Sequence, residues 1–154
     1  MKLLSTQGEY FSAIRDFFQL ASSDRVTLLR TGLNSLERVD VIPLLPNLKQ
    51  DDLKGIFDEL IHLASFSHGS IERIREAIRA LPHEWIVQNI EQSVDRWLVD
   101  GNGDTYGHIL GLLAEYDQPL VRKYANAAMH HEDPDVRDVA LDFLNNVLSD
   151  EARG

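Results

Sequence analysis

Apolar residues recur along this chain at three- and four-residue intervals, the spacing that gathers side chains on one helix face. Phe11, Ile14, Phe17, Phe18 and Ala21 form the first set. Ser22-Ser23-Asp24 then gives an N-cap signal, followed by Val26, Leu29, Leu33 and Leu36. Asp51 and Asp52 open a helix carrying Leu53, Ile56, Phe57, Leu60 and Ala64, and Ser67-His68-Gly69-Ser70 breaks it. Ser70 can cap the next helix, which carries Ile71, Ile74, Ile78 and Leu81. Pro82 stops that helix and suits the first turn of another, through Ile86, Ile90, Val94, Trp97 and Leu98. A loop at Asp100-Gly101-Asn102-Gly103-Asp104 precedes three further sets. These are Ile109-Leu110-Leu113-Tyr116, Val121-Tyr124-Ala125-Ala128 and Val136-Val139-Ala140-Phe143-Leu144-Val147-Leu148. Strand-like alternation is missing throughout. The one stretch that invites a strand, Val39 to Pro46, holds two prolines three apart and reads as an irregular or short helical connection. The pattern predicts an all-α fold of about eight helices.

The helices repeat. A shift of 35 residues places Ile74 on Ile109, Ile78 on Leu113, Ile86 on Val121, Ile90 on Ala125 and Val94 on Met129. A shorter echo, Val-Arg-x-x-Ala, occurs at residues 121–125 and 136–140, each time with an aspartate and a proline just upstream. In the second copy Asp133 can cap the helix, Pro134 fits a position where no N–H is missed, and Asp135 suits the positive helix end. Val136 then packs, and Ala140 is small enough for a neighbouring helix to approach. The core Asp-Pro-x-Val-Arg-x-x-Ala, from Asp133 to Ala140, resembles the second-helix signature of HEAT-type repeats. The resemblance is strongest over residues 104–148, and paired helices of this kind are clearest over 70–148. It implies an α-solenoid, helical hairpins stacked as a short superhelix. Periodicity by itself gives only an all-helical chain with paired helices, and an irregular α-bundle is the alternative.

Composition narrows the class. At 154 residues, 44% apolar and 26% charged, the chain has the makings of one globular domain over residues 1–154. No apolar run approaches a membrane span. Met1-Lys2-Leu3-Leu4-Ser5 is no secretory h-region, so a cytoplasmic location is expected. Without cysteine there is no disulfide framework, thiol catalysis or thiolate metal site. The net charge of −10 disfavours nucleic acid as a partner, because phosphate binding needs the opposite sign. The charge is also uneven: residues 1–83 carry ten basic and eleven acidic groups, residues 84–154 five and fourteen. The second part should attract basic partners.

Candidate chemistry is sparse. Asp100, Asn102 and Asp104 occupy the first three oxygen positions of an EF-type calcium loop, and that half resembles EF-hand and dockerin loops. Thr105 stands where the loop needs glycine, and Gly111 where it needs a bidentate glutamate. A polar turn with Asp104 or Thr105 as helix cap is the plainer reading. The six histidines, His62, His68, His83, His108, His130 and His131, form no zinc motif. No nucleophile elbow or phosphate-cradling loop is found in context. Glu72 and Glu76 stand three residues before Arg75 and Arg79, so that small basic patch is expected to neutralise itself. No catalytic residue, cofactor or metal ligand is assigned.

The remaining candidate is a charged surface. Asp135, Asp138 and Asp142 lie opposite the apolar stripe of the last helix, and Glu115, Asp117, Glu132 and Asp133 could extend that acidic face. Asp138 and Asp142 repel at four-residue spacing, a small cost that asks for a reason; solubility and docking are the two on offer. The expectation is a non-enzymatic interaction module that uses these seven carboxylates to bind a basic protein. An inhibitor or immunity protein of a basic toxin is one concrete form. A structural or regulatory subunit holding its partner through apolar anchors such as Trp85, Trp97, Phe17 and Phe18 is the alternative. An enzyme with a site built from distant helices ranks last. Oligomeric state is left open.

Overall fold

Every regular element among the described residues is helical, as the three-to-four spacing requires. The computed structural model describes residues 7–36 and 38–153, with the side chains of Gln7 and Tyr10 excepted. The opening stretch Met1–Ser5 lies outside them. Ten α-helices occur among the described residues: α1 (Gln7–Gln19), α2 (Ser22–Leu33), α3 (Arg38–Val41), α4 (Gln50–Gly55), α5 (Phe57–Leu63), α6 (Ile71–Arg79), α7 (His83–Leu98), α8 (Gly103–Ala114), α9 (Gln118–Ala128) and α10 (Pro134–Arg153). A 3-10 helix, Ile42–Asn47, follows α3 directly.

The two α-helices beyond the expected eight, and the 3-10 helix, have local causes. Val39 to Pro46 becomes α3 and the 3-10 helix: Pro43 sits in the latter's first turn, where no N–H is needed, and Pro46 limits its length. The single helix expected from Asp51 to Ala64 divides at Ile56, which caps α4 with φ −111° and ψ 14°. Gly55 stands there because α2 passes close by, and a Cβ would fall 2.6 Å from Cγ2 of Val26. Leu36 and Leu148, expected on apolar stripes, are exposed. Leu36 lies in the turn beyond the end of α2, and the buried stripe of α10 narrows to Val136, Ala140 and Val147.

The chain divides into two compact units. The first comprises residues 1–60 and 72–81; Leu29, Leu33, Leu45, Ile56, Leu60 and Ile78 are buried in it. An ion pair is buried there as well: Arg25 donates from Nε to Asp52 Oδ2 at 3.0 Å, and Ser22 donates its hydroxyl to Asp52 Oδ1 at 2.7 Å. The same guanidinium also donates to the Leu20 carbonyl, fixing the α1–α2 turn onto α4.

The second unit comprises residues 61–71 and 82–154. Its α8, α9 and α10 all pack against one another, and α7 borders α8. Ile86, Ile90, Ile109, Leu113, Val121 and Val136 are fully enclosed. A turn of three residues, 115–117, joins α8 to α9 and forces them antiparallel. The start of α8 meets the start of α10, with Asp135 Cβ only 3.1 Å from where a Cβ on Gly103 would stand. Side-chain caps begin these helices. Asn102 and Thr105 form a capping box on α8, with Thr105 N–H donating to Asn102 Oδ1 at 3.0 Å. Asp117 accepts the Leu120 N–H on α9, and Asp133 accepts the Asp135 N–H on α10. The cap of α8 is thus Asn102, and Asp104 is released for other contacts.

Candidate interaction surfaces

The acidic residues singled out in the sequence fall into two groups. Asp117 and Asp133 are half-buried, and each spends its carboxylate as a helix cap. Glu115 and Asp117 stand at the start of α9, Glu132 and Asp133 beyond its end. An 11-residue helix, about 16 Å long, separates them. Glu132, Asp135, Asp138 and Asp142 form the coherent set: all four are exposed, and the three aspartates follow i, i+3, i+7 along α10.

Among the described residues no lysine or arginine pairs with any of these four. The nearest candidate in sequence, Arg137, turns its Nη1 toward loop carbonyls instead, donating to His131 at 2.6 Å and Glu132 at 2.9 Å. In the same turn His131 Nδ1 accepts the Asp133 N–H at 3.0 Å. Three other acids of the same unit have partners within it, two of them cations. Lys123 pairs with Glu91, Arg122 with Glu151, and the Tyr124 hydroxyl donates to Asp95. Burial and the Asp95 charge together push the Tyr124 phenol well above the usual tyrosine range.

A contact that the sequence does not reveal joins Ser67, Asp104 and His108. Ser67 donates its N–H to Asp104 Oδ2 at 3.1 Å and its hydroxyl to Oδ1 at 2.9 Å. His108 Nε2 lies 2.9 Å from the Ser67 hydroxyl and 3.2 Å from Asp104 Oδ1. The residue types are those of a hydrolytic triad, but the arrangement is not. In a triad the carboxylate holds the ring nitrogen remote from serine; here carboxylate and hydroxyl share Nε2. The cluster instead clasps the turn after α5 to the first turn of α8. Hydrogen bonds from Ser67 hold the Asp104 carboxyl below its usual range; slight burial opposes them, and the His108 charge assists. Ser67 and Asp104 are 37 residues apart, and no local pattern links them.

The histidines otherwise serve the turns. His68 Nδ1 accepts the Ser70 N–H at 3.2 Å, the same device that His131 uses before α10. No group of three or more His, Asp or Glu side chains gathers as a metal site among the described residues. Two donors of the calcium-like loop are engaged elsewhere: Asn102 caps α8, and Asp104 faces Ser67. The basic patch contains an ion pair. Arg79 Nη1 meets Glu72 at 4.0 Å, two turns away.

The four aromatic residues named as apolar anchors are half-buried. Trp97 stacks on His62, with centroids 4.0 Å apart and planes 15° from parallel, and Phe17 meets Phe18 edge-on at 5.1 Å. The exposed apolar side chains are others. Phe11, Leu28, Leu36 and Val39, from α1, α2 and the turn and helix that follow, are each more than half exposed. The first unit also holds an open cavity of about 410 Å³ between α1, α2 and the α3/3-10 segment.

No family model, curated protein sequence or solved structure matches the chain. No helix among the described residues is long and apolar enough to cross a membrane.

Proposed function

We propose that this chain is a non-enzymatic docking module of the HEAT-like solenoid kind, and that it holds a basic protein partner against the outer face of α10. One observation carries this reading: Glu132, Asp135, Asp138 and Asp142 stand exposed and unpaired, while Arg137 beside them is spent on carbonyl groups. An uncompensated row of like charge costs folding energy, and a cationic partner would return it. Such a row also steers association, raising the on-rate more than the affinity. The burial of Val136 and Ala140 supports the repeat resemblance, since the Asp-Pro-x-Val-Arg-x-x-Ala core packs through those two positions. An inhibitor or immunity protein that covers a basic toxin such as a nuclease is the concrete form.

The test is binding to a panel of basic proteins in low and high salt, with wild type and a Asp135→Asn/Asp138→Asn/Asp142→Asn variant. A partner that depends on α10 should bind about ten-fold more slowly to the variant, and added salt should erase that difference. Binding indifferent to both salt and the triple change refutes the acidic-face reading.

The second reading, a regulatory or structural subunit with apolar contacts, draws on a different observation, the exposed Phe11, Leu28, Leu36 and Val39 of the first unit. Partner binding lost in a Leu28→Ser/Val39→Ser variant and insensitive to salt would favour it.

A further inference from the structure

The cavity of the first unit has the dimensions and the mostly apolar lining of a small-molecule pocket. We propose that it binds a single-chain amphiphile with a protonated amine head, the alkyl body inside and the amine at Asp16. Its volume of about 410 Å³ is in the range of small-molecule sites. Ala13 and Phe17 of α1 form one wall, and Leu28 and Gly32 of α2 the other. Val41 and Leu44, both buried, close the floor.

Contact between α2 and α3 fixes one edge of the space. A Cβ on Gly32 would lie 2.4 Å from Cγ2 of Val41, so α2 and α3 already touch at that point and cannot move in to fill the gap. Ala13, on the opposite wall, presents one methyl group where a leucine would reach across. An alkyl chain that enters this space covers apolar lining and leaves water itself, which favours binding.

The head group follows from charge. Asp16 is exposed, is the one charged residue of the lining, and pairs with no basic side chain among the described residues. Thr31, which also lines the cavity, donates its hydroxyl to the Thr27 carbonyl at 3.0 Å. An ammonium group has a free acceptor at the mouth; a carboxylate head meets a like charge there. At about 410 Å³, bounded by α1, α2 and the 3-10 segment, the open space suits one compact chain rather than the several spaced anchors of a partner helix.

Calorimetry with octylamine, decylamine, dodecylamine, decanol and decanoate, each below its aggregation concentration at pH 7, tests the assignment. One alkylamine should bind per chain. Affinity should rise about four-fold per methylene until the cavity is full, and then level off. Decylamine should bind about two- to five-fold tighter than decanol, the modest gain of an exposed ion pair, and decanoate weakest. Asp16→Asn should remove the preference for amine over alcohol and leave decanol binding unchanged. Ala13→Phe should fill the space and abolish binding of all five; the Asp16→Asn comparison stands even where that variant fails to fold. Decanoate binding as tightly as decylamine, an amine preference that survives Asp16→Asn, or no saturable binding would overturn the proposal. Displacement of decylamine at lower concentration by a leucine–lysine peptide would overturn the small-molecule assignment.

Discussion

Arg25 and Asp52 form a salt bridge at 3.0 Å whose two side chains are 6% and 0% exposed. Burial raises the Asp52 pKa, but the hydrogen bonds from Arg25 and Ser22, the Arg25 charge and the Lys49 backbone together bring it below the usual carboxylate value. A depressed folded-state pKa stabilises at pH values above the unfolded pKa, near 4. That contribution is lost as pH falls through the folded value. Denaturant unfolding should therefore show stability level from pH 7 to about 5 and falling below about 4. In Asp52→Asn the fall should be smaller.

Removing one partner of this pair leaves the other charged and enclosed. Asp52→Ala should cost about 3–5 kcal/mol, whereas Arg25→Met with Asp52→Leu should recover most of that loss. Equilibrium unfolding of Asp52→Ala, of Arg25→Met and of the double variant checks both statements. A double variant as unstable as either single one would mean that the pair does more than satisfy itself.

The helical class was legible in the sequence because burial and spacing here agree. Val121, Ala125 and Ala128 on α9, and Val136 and Ala140 on α10, are buried as their three-to-four spacing requires. Capping was legible in part: Asp133 before Pro134 caps α10, but no side chain of Ser22-Ser23-Asp24 caps α2, whose N-cap is Ala21. Asp117, read from the sequence as part of the acidic face, caps α9. What the sequence concealed are contacts between residues far apart in the chain. Asp104 was equally readable as a helix cap, and only the fold brings Ser67 to it. Gly55 looked compatible with a continuous helix until Val26 of α2 came against it. The cavity likewise lies between residues of different helices, Ala13 of α1 and Gly32 of α2, which carry no signal alone. The acidic stripe was visible in the spacing of Asp135, Asp138 and Asp142; that Arg137 would turn from it toward two carbonyl groups was not.

The Asp133 cap makes a separate prediction. Its Oδ1 accepts the Asp135 N–H at 2.9 Å at the start of a 20-residue helix. Asp133→Ala should lower stability by about 1 kcal/mol, and Asp133→Ser or Asn should restore most of it. Thermal unfolding of the three variants measures this directly. A loss of basic-partner binding in the alanine variant that returns with asparagine would assign the residue to helix geometry and not to the docking charge.

The clasp between Ser67 and Asp104 should be detectable by amide exchange. The Ser67 N–H donates to Asp104 Oδ2 at 3.1 Å in an otherwise exposed turn. In Asp104→Ala that amide should lose protection, with neighbouring amides of the turn following it. The global cost should remain about 1 kcal/mol or less, since the carboxylate is 49% exposed. The depressed Asp104 pKa fixes the sign of the pH effect: protection is present above the ordinary aspartate range and fades as acid protonates the carboxylate. Unchanged exchange at Ser67 in the alanine variant would show that the turn holds without this contact.

Docking and solubility, the two explanations for the α10 stripe, separate in a single pair of measurements. Asp138 and Asp142 are four residues apart on an exposed face, where like charges cost about 0.2–0.5 kcal/mol. Asp138→Asn should therefore raise the unfolding free energy by that amount on either explanation. The explanations differ in what is given up. On the docking reading the stabilised variant associates more slowly with a basic partner at low salt, while its dissociation rate changes little, because exposed charges act mainly on encounter. On the solubility reading association is untouched and the variant precipitates at lower concentration near its isoelectric point. Stopped-flow association at two ionic strengths, set beside a solubility curve, distinguishes the two. Slower association confined to low salt is the result expected here, because the four carboxylates lie together while the arginine nearest them in sequence faces away.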